Sequence, residues 1–340
     1  MDQQTIFLGA NSYRGFTSLY EEYIASLSLC RLYVLKGGAG CGKSTFMRRI
    51  GEKAEADGRK VINVLCSGDP DSLDGVILPE LGTAFFDGTA PHVLEPPLVG
   101  SRGFYIDLSR FYRSPSPELE PWDTGYREHY RKAYLYLSAA GSIEETELLS
   151  DHTAEAIRDR AFSFGERNLR RRRAEARGSS IRFFTDAFTC QGGITLLETR
   201  RALAPRLAAL SGGGARGDLF LKTLRDLAAD RGYSTVLCPD PLRPERLAHL
   251  LLPELGLGIT TGEGDRRIHL ERLGDPSGKD EGIAAKEAEG MKRSLLHKAK
   301  KELSLAKHDH DCLEAAVHPN VDFPAVEAAA LEMADRILRE

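Results

Sequence analysis

A glycine-rich octapeptide carries the strongest chemical signal in the sequence. It follows the pattern Gly-x-x-x-x-Gly-Lys-[Ser/Thr], with a short apolar run before it and a helix-forming stretch after it. In that setting glycine lets consecutive backbone N–H groups turn toward one anion, and the start of the helix adds partial positive charge. The pattern predicts a phosphate-binding loop of Gly37, Gly38, Ala39, Gly40, Cys41, Gly42, Lys43 and Ser44, with Thr45 following it.

Two side chains of this loop are suited to the chemistry of a nucleoside triphosphate. The Lys43 ammonium is expected to contact the β- and γ-phosphates, which makes it a candidate catalytic residue, and the Ser44 hydroxyl is expected to bind Mg²⁺. A second magnesium ligand usually comes from an acid at the end of a neighbouring apolar strand. Asp87, which ends the run Thr-Ala-Phe-Phe-Asp, fits that description, although Asp87 with Gly88 could also simply form a turn.

The residue that would activate water is not evident from the sequence. Many fast ATPases carry glutamate directly after the magnesium-binding aspartate, whereas Gly88 stands here. Nearby titratable residues are the alternatives. They are Asp69, Asp71, Asp74, Glu80 and His92. An arginine could also stabilise charge on the γ-phosphate, and the sequence does not single one out. The candidates are Arg110, Arg113, Arg127 and Arg131.

An internal repeat organises the chain. Three pairs of segments match, one of them with an offset of 174 positions, close to half of the 340 residues. The pairs are Arg31–Phe46 with Arg206–Phe220, Ile77–Gly82 with Leu251–Gly256, and Lys132–Ala140 with Lys298–Ala306. We therefore predict two domains, a first repeat over residues 1–177 and a second repeat over residues 178–340, joined near the arginine-rich stretch 170–180.

The second repeat lacks the residues that the phosphate site needs. Its glycine loop is one residue shorter, and we align Asp218 and Leu219 with the Lys-Ser pair of the first repeat. Thr260 or Thr261 stands where the first repeat has Asp87. An aspartate at a helix start repels phosphate and can instead cap the helix, so we predict a degenerate domain without a nucleotide.

The degenerate repeat serves as an internal control for the catalytic candidates. Glu80 recurs as Glu254, which favours a structural role for it. Asp74 aligns with Ala248, and the counterpart of His92 is uncertain because the alignment contains a gap there. Asp74 and His92 therefore remain candidate catalytic residues.

The elements that must position these residues alternate between strand and helix. The pattern predicts strands at 32–35, 61–65 and 83–86 and helices at 44–57 and 71–81, the latter broken near Pro79. Residues 125–170 and 282–340 have helical periodicity. We predict an α/β fold with two tandem three-layer α/β/α domains, each built on a parallel sheet and followed by a helical segment.

Four segments together resemble an uncharacterised family of tandem P-loop ATPases from Gram-positive anaerobic bacteria. They are residues 7–16, the glycine loop, residues 66–81 (CSGDPDSLDGVILPEL) and residues 87–92 (DGTAPH). The resemblance spans most of the first repeat, and in the second it rests mainly on Leu251–Gly256. It implies a P-loop ATPase with ATP as the nucleotide, and the chain has no Asn-Lys-x-Asp element for guanine. Both halves of family members can carry the loop, a pattern from which Gly212–Leu219 departs.

Composition excludes several other classes of protein. A net charge of −4 argues against a general nucleic-acid binder, and residues 170–173 (RRRR) are better explained as part of a solvated linker helix. The six cysteines form no CxxC pair, and no apolar run has the length of a membrane helix. We expect a cytoplasmic protein with no membrane contact. His308–Cys312 (HDHDC) with His318 matches no zinc spacing and is predicted to lie at the turn of a helical hairpin.

Three functions are consistent with these residues. The first is a Mg²⁺-dependent ATPase whose active repeat moves against its degenerate twin, with an unidentified protein partner. The second is a small-molecule or nucleotide kinase, in which Asp74 would deprotonate an acceptor hydroxyl. The third is a non-catalytic scaffold that keeps ATP as a structural ligand.

Overall fold

The chain folds into two α/β domains, each built around a six-stranded mixed sheet in which most neighbours are parallel. This computed structural model describes residues 4–90, 93–114, 120–144, 149–170, 176–274 and 281–339. Among those residues no helix combines the length and the apolar composition that crossing a bilayer requires. The expected α/β class is therefore confirmed.

The first repeat begins with a strand and a hairpin and ends with two helices. Its elements are β1 (Gln4–Phe7), β2 (Gly9–Ser12), β3 (Gly15–Ser18), α1 (Tyr20–Ser26), β4 (Arg31–Lys36), α2 (Lys43–Ala56), β5 (Ile62–Leu65), β6 (Leu73–Leu78), β7 (Thr83–Asp87), β8 (Gly103–Asp107), α3 (Glu120–Glu144) and α4 (Asp151–Asn168). Short 3₁₀ turns follow β6 and β8. The strands predicted at 32–35, 61–65 and 83–86 and the helix at 44–57 are confirmed to within a residue or two.

The second repeat has the same elements in the same order. They are β9 (Ser180–Arg182), β10 (Asp186–Thr189), β11 (Gly192–Thr195), α5 (Leu197–Leu203), β12 (Arg206–Ser211), α6 (Gly214–Asp230), β13 (Thr235–Pro239), β14 (Leu247–Leu252), β15 (Leu257–Thr260), β16 (Arg266–His269), α7 (Glu281–Val317) and α8 (Phe323–Arg339). The two sheets have equivalent strand orders, β1-β5-β6-β7-β4-β8 and β9-β13-β14-β15-β12-β16. The domains are thus two copies of one fold.

The helix predicted over residues 71–81 is wrong, and so is the wholly parallel sheet. Residues 73–78 form β6, which runs antiparallel to both neighbours, β5 and β7. Every residue of β6 is buried, because this central strand has sheet on both sides and helices or loops on both faces. The run Val-Ile-Leu suits such a strand, and the Pro-Glu-Leu turn that follows returns the chain directly into β7. Strand β14 repeats this arrangement in the second sheet.

The helical ends of the two repeats are exchanged. Helix α4 packs on α6 of the second repeat, where Ile157 and Phe164 share a core with Phe220. Helix α8 packs on α2 of the first repeat, where Val326 and Ile337 join its core. Each repeat therefore receives its last core helix from the other one.

Helices α3 and α7, which precede the exchanged helices α4 and α8, pack against each other as an antiparallel pair. Ala133 packs in one cluster with Leu303, and Leu137 packs in another with Ala299. These are equivalent positions of the matching segments 132–140 and 298–306, so the pair has approximate twofold symmetry. The same symmetry relates Phe7 and Phe184, which exchange backbone hydrogen bonds of 3.0 and 2.9 Å.

Candidate functional site

The glycine loop, residues 37–44, connects the carboxyl end of β4 to the start of α2 as predicted. Gly40 (φ 71°) and Gly42 (φ 90°) adopt left-handed conformations that side chains disfavour. Gly42 is the residue before the helix, and its carbonyl accepts the N–H of Phe46 at 2.8 Å. The N–H groups of the first turn of α2 have no carbonyl acceptor within the helix, so this end of α2 is suited to accept an anion.

Lys43 folds back over the loop that precedes it. Its Nζ donates hydrogen bonds to the carbonyls of Gly37 at 3.0 Å and Gly38 at 2.9 Å. The Asp87 carboxylate lies 3.7 Å from the same nitrogen. Because an ammonium has three N–H donors, the two carbonyls fix its position and leave one donor on the side of Asp87. The Lys43 ammonium is thus held in a fixed position with its third N–H directed toward Asp87.

Asp87 ends β7, the parallel neighbour of β4, as the sequence predicted. Strand register places it beside Leu35, two residues before the glycine loop. The backbone and the hydroxyl of Thr89 donate hydrogen bonds to its Oδ1 at 2.8 and 2.6 Å. The carboxylate therefore has one oxygen anchored and the other facing Lys43.

Ser44 and Thr45 occupy the first turn of α2. The Ser44 hydroxyl accepts the backbone N–H of Leu73 at 3.0 Å, which ties α2 to the start of β6. A hydroxyl has two acceptor lone pairs, so one remains available for a cation. Together Ser44 and Asp87 form a pair of hard oxygen donors of the kind that magnesium prefers.

Asp74 lies on β6 and is 5% exposed. In the antiparallel register Gly75 faces Phe86 as the last pair of the ladder, and Asp74 and Asp87 each adjoin that pair in sequence. The Tyr20 hydroxyl donates a hydrogen bond to Asp74 Oδ2 at 2.8 Å. Burial and then the charge of Asp74 raise the pKa of Tyr20 well above its usual value, so this tyrosine remains a donor. The structure thus brings Asp74 to the same edge of the sheet as Asp87.

The other acids named from the sequence have different positions. Glu80 lies in the turn between β6 and β7, at the opposite edge of the sheet from the glycine loop. Asp69 is 3.4 Å from Lys307 of α7, and Asp71 accepts a hydrogen bond of 3.1 Å from Gln191. The loop between β5 and β6 is therefore held by residues of the second repeat. His92 lies outside the described residues.

The candidate arginines are largely engaged with nearby acids. Arg127 pairs with Asp123 at 3.0 Å on its own helix. Arg131 pairs in the same way with Glu128 at 2.8 Å. Arg113 is 3.1 Å from Asp322, in the turn before α8. Arg110 stacks on the neighbouring Phe111 ring. Arg113 is thus the candidate that ties the first repeat to the exchanged helices.

Cys41 is a buried member of the core beneath the loop. Burial raises the pKa of its thiol, and the nearby Lys43 only partly offsets that effect. A buried thiol of raised pKa is a weak nucleophile. Cys41 therefore fills space in the core beneath the loop.

Two features of the site were missed from the sequence. Helices α7 and α8 cover the glycine loop, so that a Cβ on Gly40 would lie 3.0 Å from the Cα of Glu314 and one on Gly42 would lie 3.2 Å from Val326. Asp107 ends β8, the other parallel neighbour of β4, directly beside Lys36. The short apolar run 104–106, which ends in Asp107 as the run 84–86 ends in Asp87, signals this second acid, whereas nothing in the sequence shows where α7 packs.

The corresponding loop of the second repeat is built differently. Asp218 Oδ1 accepts the N–H of Leu247 at 2.8 Å, the contact that Ser44 makes with Leu73. Asp218 is therefore the counterpart of Ser44, and the alignment with Lys43 was wrong by one residue. Lys222 lies 2.7 Å from the same carboxylate. Helix α6 begins at Gly214 with Gly213 before it, so Asp218 stands in the second turn and the predicted role of Asp218 as a helix cap is wrong. The second repeat thus has an aspartate paired with a lysine where the first repeat has the Ser44 hydroxyl.

The histidine-rich segment 308–312 does not lie at a hairpin turn, as the sequence had suggested. It belongs to α7, which continues to Val317. Ligand atoms of His310, Asp311 and Glu314 come within 4.8 Å of one another. Asp311 also pairs with Lys307, and His310 lies 5.4 Å from the Tyr126 ring, so this cluster also fits an ordinary polar helix face. Most of the arginine run 170–173 lies outside the described residues.

The first repeat thus gathers a constrained ammonium, two carboxylates, a hydroxyl and the N–H groups of a helix start at one edge of its sheet. Such a set can neutralise a polyanion and hold a divalent cation. Searches among protein families, curated proteins and solved structures found no match to the chain.

Proposed function

We propose that the first repeat binds ATP with Mg²⁺ and hydrolyses it. The observation that carries this proposal is the position of Lys43, whose amine is fixed by two loop carbonyls in front of a helix start. A triphosphate would take the remaining donor of Lys43 and the free N–H groups of α2. The resemblance to the tandem P-loop ATPases supports ATP as the nucleotide.

Ser44 and Asp87 would hold the metal ion. One lone pair of the Ser44 hydroxyl and the Asp87 oxygen that faces Lys43 are the donors that fit. When bound there, Mg²⁺ supplies charge neutralisation at the β- and γ-phosphates. Lys43 would meanwhile shift from Asp87 toward the phosphate, because both carboxylate and phosphate compete for its third donor.

Asp74 is our candidate for the base that receives a proton from the attacking water. It adjoins the last pair of the β6–β7 ladder at the end where Asp87 lies, and its Oδ2 is oriented by the Tyr20 hydroxyl. A carboxylate that is positioned by a buried donor can accept a proton without moving. His92 remains a candidate from the sequence alone.

Phosphoryl transfer to a small-molecule hydroxyl is the second candidate function. The burial of Asp74 favours it, since a base that is only 5% exposed sits where bulk water has limited access. The same residue would then accept the proton of the acceptor hydroxyl. Incubation with γ-labelled ATP separates the two reactions, because hydrolysis releases labelled phosphate and a kinase moves the label to the acceptor.

The decisive experiment measures ATP affinity and phosphate release by the wild type and by Lys43→Ala, with Mg²⁺ and with EDTA. We expect one ATP per chain in the wild type, and a loss of at least tenfold in affinity or turnover in the variant, as for removal of a charge-assisted contact of roughly 1.5–3 kcal/mol. Lys222→Ala removes the lysine that pairs with Asp218 in α6 of the second repeat and is the control.

Each outcome of that experiment supports or excludes one of the proposed roles of ATP. Wild-type values in Lys222→Ala together with a loss in Lys43→Ala support the proposal. Tight binding with no turnover favours the scaffold, in which ATP is a structural ligand. Absence of binding in the wild type, or two ATP molecules per chain, would refute the assignment of one active and one degenerate repeat.

A further inference from the structure

Helix α7 contains a stretch in which positive charge is not balanced by acids. Residues 293–301 include four lysine or arginine residues, one histidine and no aspartate or glutamate. All five basic residues are exposed, and among the residues that the structure describes none of the four lysine and arginine side chains pairs with an acid. We call this surface the basic face of α7. It consists of Arg293, His297, Lys298, Lys300 and Lys301.

Packing against α3 turns these residues toward solvent. Ala299 and Leu303 of α7 are buried in the clusters that also contain Leu137 and Ala133 of α3. With 3.6 residues per turn, the basic face covers roughly 160° on the other side of α7. The part of α3 that packs here, residues 133–143, has no charged residue. The neighbouring helix therefore supplies no counter-charge along this face.

The nearest acids of α7 itself lie beyond the two ends of the face. Glu302 follows Lys301, but its side chain turns into the helix pair and contacts His129 Nδ1 at 2.7 Å. Glu289 lies one turn before Arg293, and within the described residues these two side chains form no ion pair. The net charge of −4 for the whole chain thus coexists with a local group of four cations.

The equivalent helix of the first repeat neutralises its own cations. Arg131 and Lys132 of α3 both pair with Glu128, at 2.8 and 3.7 Å. The offset of 166 positions that relates Lys132 to Lys298 places Ser294 of α7 where α3 has Glu128, so the acid is lost. Two substitutions also add charge to α7. They are Lys300 in place of Tyr134 and Lys301 in place of Leu135.

The spacing of these charges fits a row of phosphates. Arg293 and Lys301 are separated by about 12 Å along the helix axis. One strand of duplex DNA presents a phosphate about every 3.4 Å along its axis, so this length faces roughly three to four phosphates. The basic face carries four lysine and arginine residues over the same length.

The basic face is less suited to a lipid surface. Helices that bind membranes bury an apolar side among the lipid headgroups, whereas the apolar side of α7, with Leu295 and Leu296, packs inside the protein. The exposed apolar residues Leu135 and Met291 lie near opposite ends of the face. Single exposed residues of this kind are ordinary on protein surfaces. A nucleic acid needs no apolar contact, because lysine and arginine alone can bind its phosphates.

We propose that the basic face of α7 binds the phosphate backbone of a nucleic acid. Each of the four lysine and arginine residues would contact one phosphate, and no base sequence would be read. With three or four phosphate contacts on a duplex, the logarithm of the affinity should fall against the logarithm of salt concentration with a slope of about −3 to −4. This binding does not depend on the ATP site proposed for the first repeat.

The test uses the full chain and fluorescently labelled nucleic acids of arbitrary sequence. Fluorescence anisotropy measures the affinity for duplex DNA, duplex RNA and single strands between roughly 50 and 200 mM salt. We expect a Kd in the range of about 1–100 µM, typical of binding through phosphates, and the salt slope given above for a duplex. Vesicles of phosphatidylglycerol and a polyglutamate peptide are the competing polyanions.

Paired variants locate the binding. Lys300→Gln/Lys301→Gln removes two exposed cations and should weaken duplex binding at least about tenfold and reduce the salt slope by about 2. The control is Arg127→Gln/Lys132→Gln, which removes two cations of α3 that already have acid partners, and it should bind as the wild type does.

Three results would overturn the proposal. The first is absence of binding to any of the nucleic acids. The second is an equal effect of the two double variants. The third is binding of the vesicles or of polyglutamate at least as tightly as the nucleic acids, which would assign the basic face to a membrane or to an acidic protein instead.

Discussion

Replacing Ile337 by alanine tests the exchange of helices between the repeats. Ile337 lies on α8, in the sequence of the second repeat, but is 1% exposed in the core of the first repeat together with Met47 and Ile50 of α2. The substitution removes three carbons from that core. We therefore expect it to destabilise α2 while leaving α6, which lies in the same repeat as α8, largely unaffected.

The size of the effect follows from the burial. Truncation of a fully buried isoleucine to alanine costs about 2–5 kcal/mol, including the cavity that it leaves. That range corresponds to a loss of roughly 30-fold to several thousandfold in an equilibrium constant. Amide protons of α2 that exchange through local opening should lose protection by a factor of this order.

Hydrogen exchange detected by mass spectrometry resolves the two helices in one experiment. Ile157→Ala is the matched control, because Ile157 lies on α4 of the first repeat and is fully buried in the core of the second repeat with Phe220 and Leu224. It should reduce protection at α6 more than at α2. The opposite pattern in either variant, with the larger loss in the repeat that contains the substituted residue, would refute the exchange.

Three further predictions concern single residues. Gly40→Ala should lower the free energy of unfolding by at least about 1 kcal/mol, which chemical denaturation measures. Alanine is strained at φ 71°, and its methyl group would press on the α7 backbone. Asp218→Ala should cost about 1–3 kcal/mol in the same assay, because it leaves the N–H of Leu247 without its acceptor. Burial lowers the pKa of His249 below its usual 6.5, more than Asp186 raises it. The unfolded chain then takes up the proton first, so stability should fall as pH decreases from 6.5 through the lowered pKa, and His249→Gln should flatten that part of the profile.

The sequence predicted the local parts of the first site because those parts depend on neighbouring residues. Gly40, Gly42 and Lys43 act through a short loop whose conformation is set by the adjacent strand and helix. Asp87 could be placed because it directly follows an apolar run. The internal repeat likewise predicted two copies of one element order, which the structure contains.

The features that sequence reasoning missed depend on distant partners. Strand β6 falls within a predicted helix because its short apolar run, residues 73–78, has no distinguishing periodicity once both faces are buried. The apolar stripe of α8 indicates that the helix is buried but not on which sheet it packs. The sequence alignment places Asp218 opposite Lys43 instead of Ser44. The two glycine loops differ in length by one residue, and their glycines do not determine where the gap belongs.

The exchange of helices also constrains how the protein is made. Arg49 of α2 pairs with Glu327 of α8 at 3.0 Å, across 278 positions of sequence. During translation the first repeat leaves the ribosome long before residues 323–339 have been synthesised. Until then the face of α2 that carries Met47 and Ile50 lacks its cover, and such a surface attracts chaperones or other nascent chains. The glycine loop therefore reaches its final environment only after both repeats have been translated.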